Sequence, residues 1–498
     1  VTTSLTMNLP VFVVIAPLFV AIMLPTFARR MRLVEGLVIF VEALGLVGAG
    51  YLAYTVLSQR GAPLIYQMGG WQAPWGIELM VGNLGAFFLL VISGVSLPVA
   101  LFARGNLTEE VGGKERITRF YVLYLLLVGA LSGMALTNDL FNVFVLVEVA
   151  TLSCCGMVST RKHPRAAEAA FTYLILATLG SALVLGGIGF IYMITGHLNM
   201  GFASQEINRI WQTNPHVVWL AFSFMLVGFG VKSALFPLHV WLPDAHSTAP
   251  SPASAILSGL AIKGYLICLL KVLYNIFGHT LMQEFAVHRI LVLAGTIAII
   301  AGSISAFAQD DLKRRLAYST VAQVGYIVLG FGLVNTKGLT GALFYMASHA
   351  VIKSTLFLAA GAIIAVTGRK KVSELAGIGR KMPITMGAFT LASLSLIGIP
   401  LLSGFVGKWN LLLGSMESGN IIPTAVIIIG SVLCAAYLLP VIRVAWFEPA
   451  PDEDWKDPGI SQKLALIILA AVVVILGVIP GPLLELAGRA AADLLVLR

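Results

Sequence analysis

The chain has 498 residues, of which 58% are hydrophobic and 11% charged, with a formal net charge of +9. A charged share this far below the usual roughly 25% excludes an ordinary water-soluble globule and a disordered chain. The positive excess is no nucleic-acid surface either, because its carriers gather in alternate short loops between apolar runs.

Fourteen such runs follow one another, near 8–28, 33–57, 78–103, 119–136, 139–160, 166–194, 216–247, 252–275, 284–308, 317–334, 338–367, 383–415, 420–446 and 461–481. Each can cross about 30 Å of hydrocarbon as a helix, so the fold class is all-α and polytopic. The first run has no basic residue before it and three just after, which fits an N-out anchor rather than a cleaved signal peptide. Connectors are short, the longest being about 58–77, 104–118, 195–215 and 447–460. The acidic stretch Asp452-Glu453-Asp454 reads as a solvated loop, and the tail after Pro482 as an amphipathic surface segment. Cys154, Cys155, Cys268 and Cys434 all fall inside runs without CxxC spacing, so they read as buried apolar groups.

With fourteen crossings, alternate loops share a side. One side holds Arg29, Arg30, Arg32, Arg104, Lys114, Arg116, Arg119, Arg161, Lys162, Arg165, Lys313, Arg314, Arg315, Arg369, Lys370, Lys371, Arg380, Lys381, Arg443, Lys456 and Lys463. The other holds only Arg60, Arg209, Arg289, Lys337, Arg489 and Arg498. The positive-inside rule puts the first group in the cytoplasm and both termini outside, which makes this a multi-pass protein of the inner (cytoplasmic) membrane.

Two runs are too long for one straight crossing, and both carry proline: 216–247 with Pro237, and 383–415 with Pro400. Proline removes a donor and clashes with the preceding turn, so runs 7 and 12 should be discontinuous. Freed carbonyls are tolerated in hydrocarbon only where they line protein or a wet cavity. The two prolines are 163 residues apart, and runs 4 and 9 begin about 165 apart. Runs 4–8 and 9–13 therefore read as two five-helix repeats, inverted because five is odd. The expected division is a three-helix segment 1–118, a first repeat 119–275, an inverted repeat 284–446, and 447–498 with the last helix and tail.

Five lysines (Lys232, Lys263, Lys271, Lys353 and Lys408) and Glu148 lie within runs. Each charge near mid-bilayer costs at least about 2.5–3.5 kcal/mol, so each needs a partner, water or a purpose. Glu148, Lys263 and Lys353 fall roughly 13, 17 and 22 Å into their runs at 1.5 Å per residue. Lys232 and Lys408 stand beside the breaks, and His349 shares a helical face with Lys353. Burial favours a neutral amine and a nearby carboxylate favours the ammonium, so a Glu148–Lys232 pair could hold and release a proton. A row from there through Lys263, His349 and Lys353 to Lys408 is the layout of a lateral proton wire. Plainer readings attach to the others: Lys271 snorkels to the interface, Glu168 pairs with Arg161, Lys162 or Arg165, and Asp310 to Arg315 form a charged loop. His239 and His246 fit a relay or simple filling of the interior equally well.

These residues resemble the antiporter-like subunits shared by respiratory complex I, membrane-bound hydrogenases and Mrp-type cation/proton antiporters. The resemblance lies in Asn138-Asp139 to Glu148, Gly230 to Asp244, Ala249 to Lys263, Asp311 to Ser319, Ser348 to Lys353, and Gly398 to Lys408. It implies fourteen helices, inverted five-helix repeats with helices 7 and 12 discontinuous, and proton transfer by Glu148, Lys232, Lys263 and Lys408. Lysine at 408, and Gly69-Gly70-Trp71 with Gly76-Ile77, look like the D-type component of Mrp systems. Thr172, Asn83 and Gln323 depart from residues common in relatives, namely lysine, aspartate and histidine.

The expectation is thus a proton-translocating subunit of a multi-subunit Na⁺/proton antiporter, with other membrane subunits as partners. The alternative is the proton-pumping module of a redox-driven complex. No nucleotide fingerprint, haem ligation or iron–sulfur pattern is present, so no cofactor or metal is expected and redox chemistry would belong to partners. No oxygen-rich cluster marks a sodium cage, which leaves passage through another subunit open.

Overall fold

The computed structural model describes residues 4–59, 62–162, 164–450 and 452–496. Arg60 and Arg498, counted above on the sparse side, lie outside the described residues. With no water in the bilayer core, every backbone group must bond within its own helix, and the chain answers almost entirely with helices. In order they are α1 (Ser4–Met23), α2 (Met31–Ser58), α3 (Asn83–Glu110), α4 (Lys114–Leu136), α5 (Leu140–Ser159), α6 (Ala166–Thr195) and α7 (Met200–Ile210). There follow α8 (Pro215–Lys232), α9 (Leu242–Thr248), α10 (Ser251–Ile256), α11 (Ile262–Lys271), α12 (Gly278–Glu284), α13 (Val287–Phe307) and α14 (Leu312–Gly332). The chain ends with α15 (Thr336–Thr367), α16 (Ile378–Lys381), α17 (Pro383–Ile397), α18 (Ser403–Glu417), α19 (Ile421–Phe447), α20 (Ile460–Val478) and α21 (Gly481–Leu495).

Twelve helical stretches among the described residues are long and apolar enough to cross a membrane. The expected count of fourteen differs in two places. Run 10 is α14, whose first turn carries Lys313, Arg314 and Arg315. Run 12 is split into α17 and α18, fifteen residues each. Run 3 also starts late: residues 78–81 form β2 (Glu78–Val81), antiparallel to β1 (Leu64–Gln67) with Leu64 opposite Val81. The Glu78 carboxylate anchors this hairpin, accepting hydrogen bonds from Asn138 (2.6 Å) and Asn199 (2.9 Å).

The α10–α12 stretch and α15 form the buried centre, whereas α1, α2 and α20 lie at the edge. Two π-helical turns, Leu257–Ala261 and Val272–Phe277, interrupt the α10–α12 stretch. Gly295 and Gly325 let α13 and α14 touch backbone to backbone; a Cβ on either would sit 2.6–2.7 Å from the other's carbonyl. The tail helix α21 buries Leu486, Ala487, Ala490, Ala491 and Leu494, a one-sided stripe set against α3 and α15.

The repeats are written into the backbone. Asp139 caps α5 through the Asn142 amide (2.7 Å), and Asp311 caps α14 through the Arg314 amide (2.9 Å). Asp139 bridges to Asn199 and Asp311 to Lys371. The Leu140 amide bonds Leu198 (2.8 Å) and the Leu312 amide bonds Lys370 (2.9 Å). Gly196 and Gly368 end α6 and α15 with the same left-handed conformation, φ 70°. Every one of these pairs is separated by the same stretch of chain.

Candidate functional site

Helix α8 ends at Lys232, five residues before Pro237, and helical geometry resumes only at Leu242. The break starts early because Ala234 turns left-handed (φ 54°). One freed carbonyl, that of Val231, accepts from the Trp241 indole at 2.9 Å. Trp241 is itself fixed by stacking on Tyr173, centroids 4.1 Å apart. Lys232, held at this last turn, places Nζ 3.2 Å from Glu148 Oε1 and 2.7 Å from Thr151 Oγ1. Glu148 and Thr151 lie three apart on α5, one helical face. The Ser181 hydroxyl donates to the same Glu148 oxygen. The lysine side chain is fully buried while that of Glu148 is 27% exposed, so the pair sits at the rim of the chain.

The remaining buried lysines have neutral partners. Lys263 donates to the Ser258 carbonyl, which the π-helical turn presents to it. The Ser258 hydroxyl meets Thr320 Oγ1 at 2.8 Å. Lys353 donates to the Leu316 carbonyl (2.8 Å) and to the Ser319 hydroxyl. One turn on, Gln323 accepts from the Tyr345 hydroxyl and donates to that of Tyr437 at 3.1 Å. Gln323 thus bridges two buried tyrosine hydroxyls one turn beyond Ser319. The ring of Tyr345 lies 5.8 Å from Lys408 Nζ, and that of Tyr326 4.7 Å.

Lys408 belongs to the second break. Gly398 (φ 103°) and Leu401 (φ 69°) turn the chain between α17 and α18. The last α17 carbonyls, of Leu396 and Ile397, accept from Lys408 Nζ at 2.8 and 3.2 Å, and Ser431 joins at 3.2 Å. A helix C-terminus carries partial negative charge, which suits an ammonium without any carboxylate. His349 is wholly buried, its ring stacked near Tyr345 (6.2 Å), and neither ring nitrogen has a partner among the described residues. His246 is likewise buried and unpartnered, stacked on Phe357 at 4.6 Å.

Two plainer readings need correction. Lys271 does not snorkel: it is 5% exposed and donates to the carbonyls of Met134, Ala135 and Thr137 at 2.9, 2.7 and 3.0 Å. Orphan carbonyls at the end of α4 capture it. Lys313 and Arg315 are no loop charges: Lys313 bonds the Ala249 carbonyl (3.1 Å) and Arg315 that of Tyr437 (3.0 Å), both buried. Arg161 approaches Glu110 at 3.8 Å, and Glu110 also accepts from the Ser251 amide and hydroxyl. The acidic loop is also tied down, through Glu453 to Arg369 at 2.8 Å. Sequence reasoning passed over Glu42, a carboxylate in an apolar run like Glu148, and Glu110, which falls in the 104–118 connector.

This arrangement is shared with known proteins. Residues 137–434 match the family described as NADH:quinone oxidoreductase/Mrp antiporter, transmembrane. The chain is 37% identical to the N-type component of the NADH-quinone oxidoreductase of Desulforudis audaxviator, covering 95% of this chain and 96% of that one. It is 30% identical to the D-type component of the Na⁺/H⁺ antiporter of Alkalihalophilus pseudofirmus, covering 98% and 97%. Its fold superposes with a TM-score of 0.90 on a chain of the membrane-bound sulfane sulfur reductase, an archaeal respiratory membrane complex (30% identity, 98% of each chain). The score is also 0.90 for a chain of the Mrp complex from a Dietzia species (26% identity, 99% and 98%). The family match spans both helix breaks and every buried lysine described above, from the Asp139 cap of α5 to Cys434. The chain belongs to the NADH:quinone oxidoreductase/Mrp antiporter transmembrane family.

Proposed function

We propose that this chain is the proton-translocating membrane subunit of a multi-subunit Na⁺/proton antiporter. Other membrane subunits of the same complex are its partners. What carries the reading is a series of buried ionisable groups, interspersed with hydroxyls and amides, lying between one helix break and the other. Lys232 keeps its proton while Glu148 lies beside it and yields it when the pair opens. Lys263 follows, then the Ser258 and Thr320 hydroxyls, then Lys353 with Ser319. Gln323, Tyr345 and His349 link that lysine to Lys408. Likeness to proteins named for Na⁺/H⁺ antiport along nearly their full length supports the antiporter assignment.

The protein sits in the inner membrane with both termini outside. Residues 119–275 and 284–446 act as the inverted halves, with 1–118 and 447–498 flanking them. The test is sodium-driven proton movement in everted vesicles carrying the whole complex, with Glu148→Ala and Lys232→Ala made separately. Loss in both with normal assembly is expected; wild-type rates in both would sink the proton row.

A second reading, the pump of a redox-driven complex, is favoured by the 37% identity to a component of a quinone oxidoreductase. Co-purified subunits separate the two: small antiporter subunits support the first, hydrogenase or quinone-reductase subunits the second.

A further inference from the structure

The first four helices enclose a cavity of about 500 Å³, remote from the lysine series, lined by Val13, Pro17, Gly45, Tyr51 and Ser93 among others. Its walls are mostly apolar, and besides the hydroxyls of Tyr51, Ser93 and Ser132 they hold one carboxylate, Glu42. This carboxylate lies eleven residues into α2, about 16 Å along the helix axis, and is 3% exposed. The Ser96 hydroxyl donates to Oε2, while Oε1 has no partner among the described residues. Glu42 makes no ion pair among the described residues, and Arg104 of α3 is engaged by Glu35 of α2 at 3.2 Å. A buried carboxylate with half its acceptors unused and no counter-ion is costly. Here it stands in the wall of a space of ligand size.

The cavity opens sideways among Phe12, Leu44 and Val47, which are 55, 52 and 70% exposed. In a transmembrane protein those faces meet acyl chains, so entry is from the bilayer. Whatever enters must be apolar over most of its surface and positive at one point. The Tyr51 and Phe12 rings beside the opening favour a diffuse cation further. We propose that this cavity is a binding site for a lipophilic monovalent cation, of the alkylammonium class, whose charge is met by Glu42.

The test is equilibrium dialysis of radiolabelled tetrabutylammonium against the assembled complex in lipid nanodiscs. Two variants attack different parts of the site. Glu42→Gln removes the charge yet keeps an oxygen for the Ser96 hydroxyl. Gly45→Leu fills the cavity and leaves the carboxylate alone; a Cβ there meets nothing closer than Ser93 Oγ at 3.9 Å. A saturable site is expected in the wild type, weakened about tenfold or more in each variant, the low end for losing one member of a buried charge pair. Either variant binding like the wild type, or a wild type without saturable binding, overturns the proposal. None of these outcomes touches the Glu148–Lys408 series, so the antiport reading stands or falls separately.

Discussion

The buried lysines differ in what holds them, and that difference predicts which of them serve transport and which architecture. Lys408 is kept by two carbonyls at a helix break plus one hydroxyl, partners that hold an ammonium without neutralising it. Replacing it by methionine should cut antiport about a hundredfold, the low end for loss of a positioned proton-transfer group, while the complex still assembles. Lys271 instead closes three carbonyls near the end of α4. Lys271→Met should leave turnover per assembled complex intact and destabilise the chain by about 3 kcal/mol, seen as a lower melting temperature in nanodiscs. Equal turnover loss in both variants would refute the distinction. A lysine in an apolar run announces itself in the sequence; its acceptor does not. The Lys263 contact to Ser258 depends on a π-helical turn that no periodicity reveals. Glu42 carries the same signal as Glu148 and was legible, but nothing at residue spacing marks the cavity it faces.

At the scale of elements, proline placed both breaks roughly, and backbone accounting placed them finely. Pro237 disqualifies a straight helix, yet the helix stops at Lys232 because Ala234 turns left-handed there. Trp241 then donates to the Val231 carbonyl beside Lys232, together with the Ala234 amide. Trp241→Phe keeps the stack on Tyr173 and removes only that bond. The expected cost is about 1 kcal/mol for the lost hydrogen bond, the Ala234 amide still donating to that carbonyl at 3.2 Å, together with slower transport as Lys232 loses its fixed register. Thermal unfolding and vesicle antiport, measured on the same preparation, check both halves. The paired prolines pointed to two repeats, although residue identity between halves is weak. What conserves them is geometry: the Asp139 and Asp311 caps and the matching Gly196 and Gly368 ends. The positions equivalent to Glu148 and Ser181 in the second half are Thr320 and Lys353. The same scaffold thus carries an ion pair in one half and an amine among hydroxyls in the other.

Over the whole molecule, the distribution of Lys and Arg predicts a sidedness that can be tested chemically. Loops rich in these residues belong to the cytoplasm, because moving them across a bilayer costs more than leaving them. Lys313 and Arg315 turn inward to cap neighbouring segments, but they do so at the crowded end of α14 and so keep the same side. Asp454 in the 447–460 loop has a side chain 83% exposed, and Thr213 in the 195–215 loop is exposed too and is predicted to lie on the opposite side. All four native cysteines are buried, which makes single introduced thiols clean reporters. In intact cells, a membrane-impermeant maleimide should label Thr213→Cys and spare Asp454→Cys. In everted vesicles the pattern should reverse. Both positions labelled from one side would break the fourteen-crossing parity, and the opposite pattern would place the termini in the cytoplasm. In either case the Glu148–Lys232 rim would meet its neighbours in a different orientation from the one the charge asymmetry dictates.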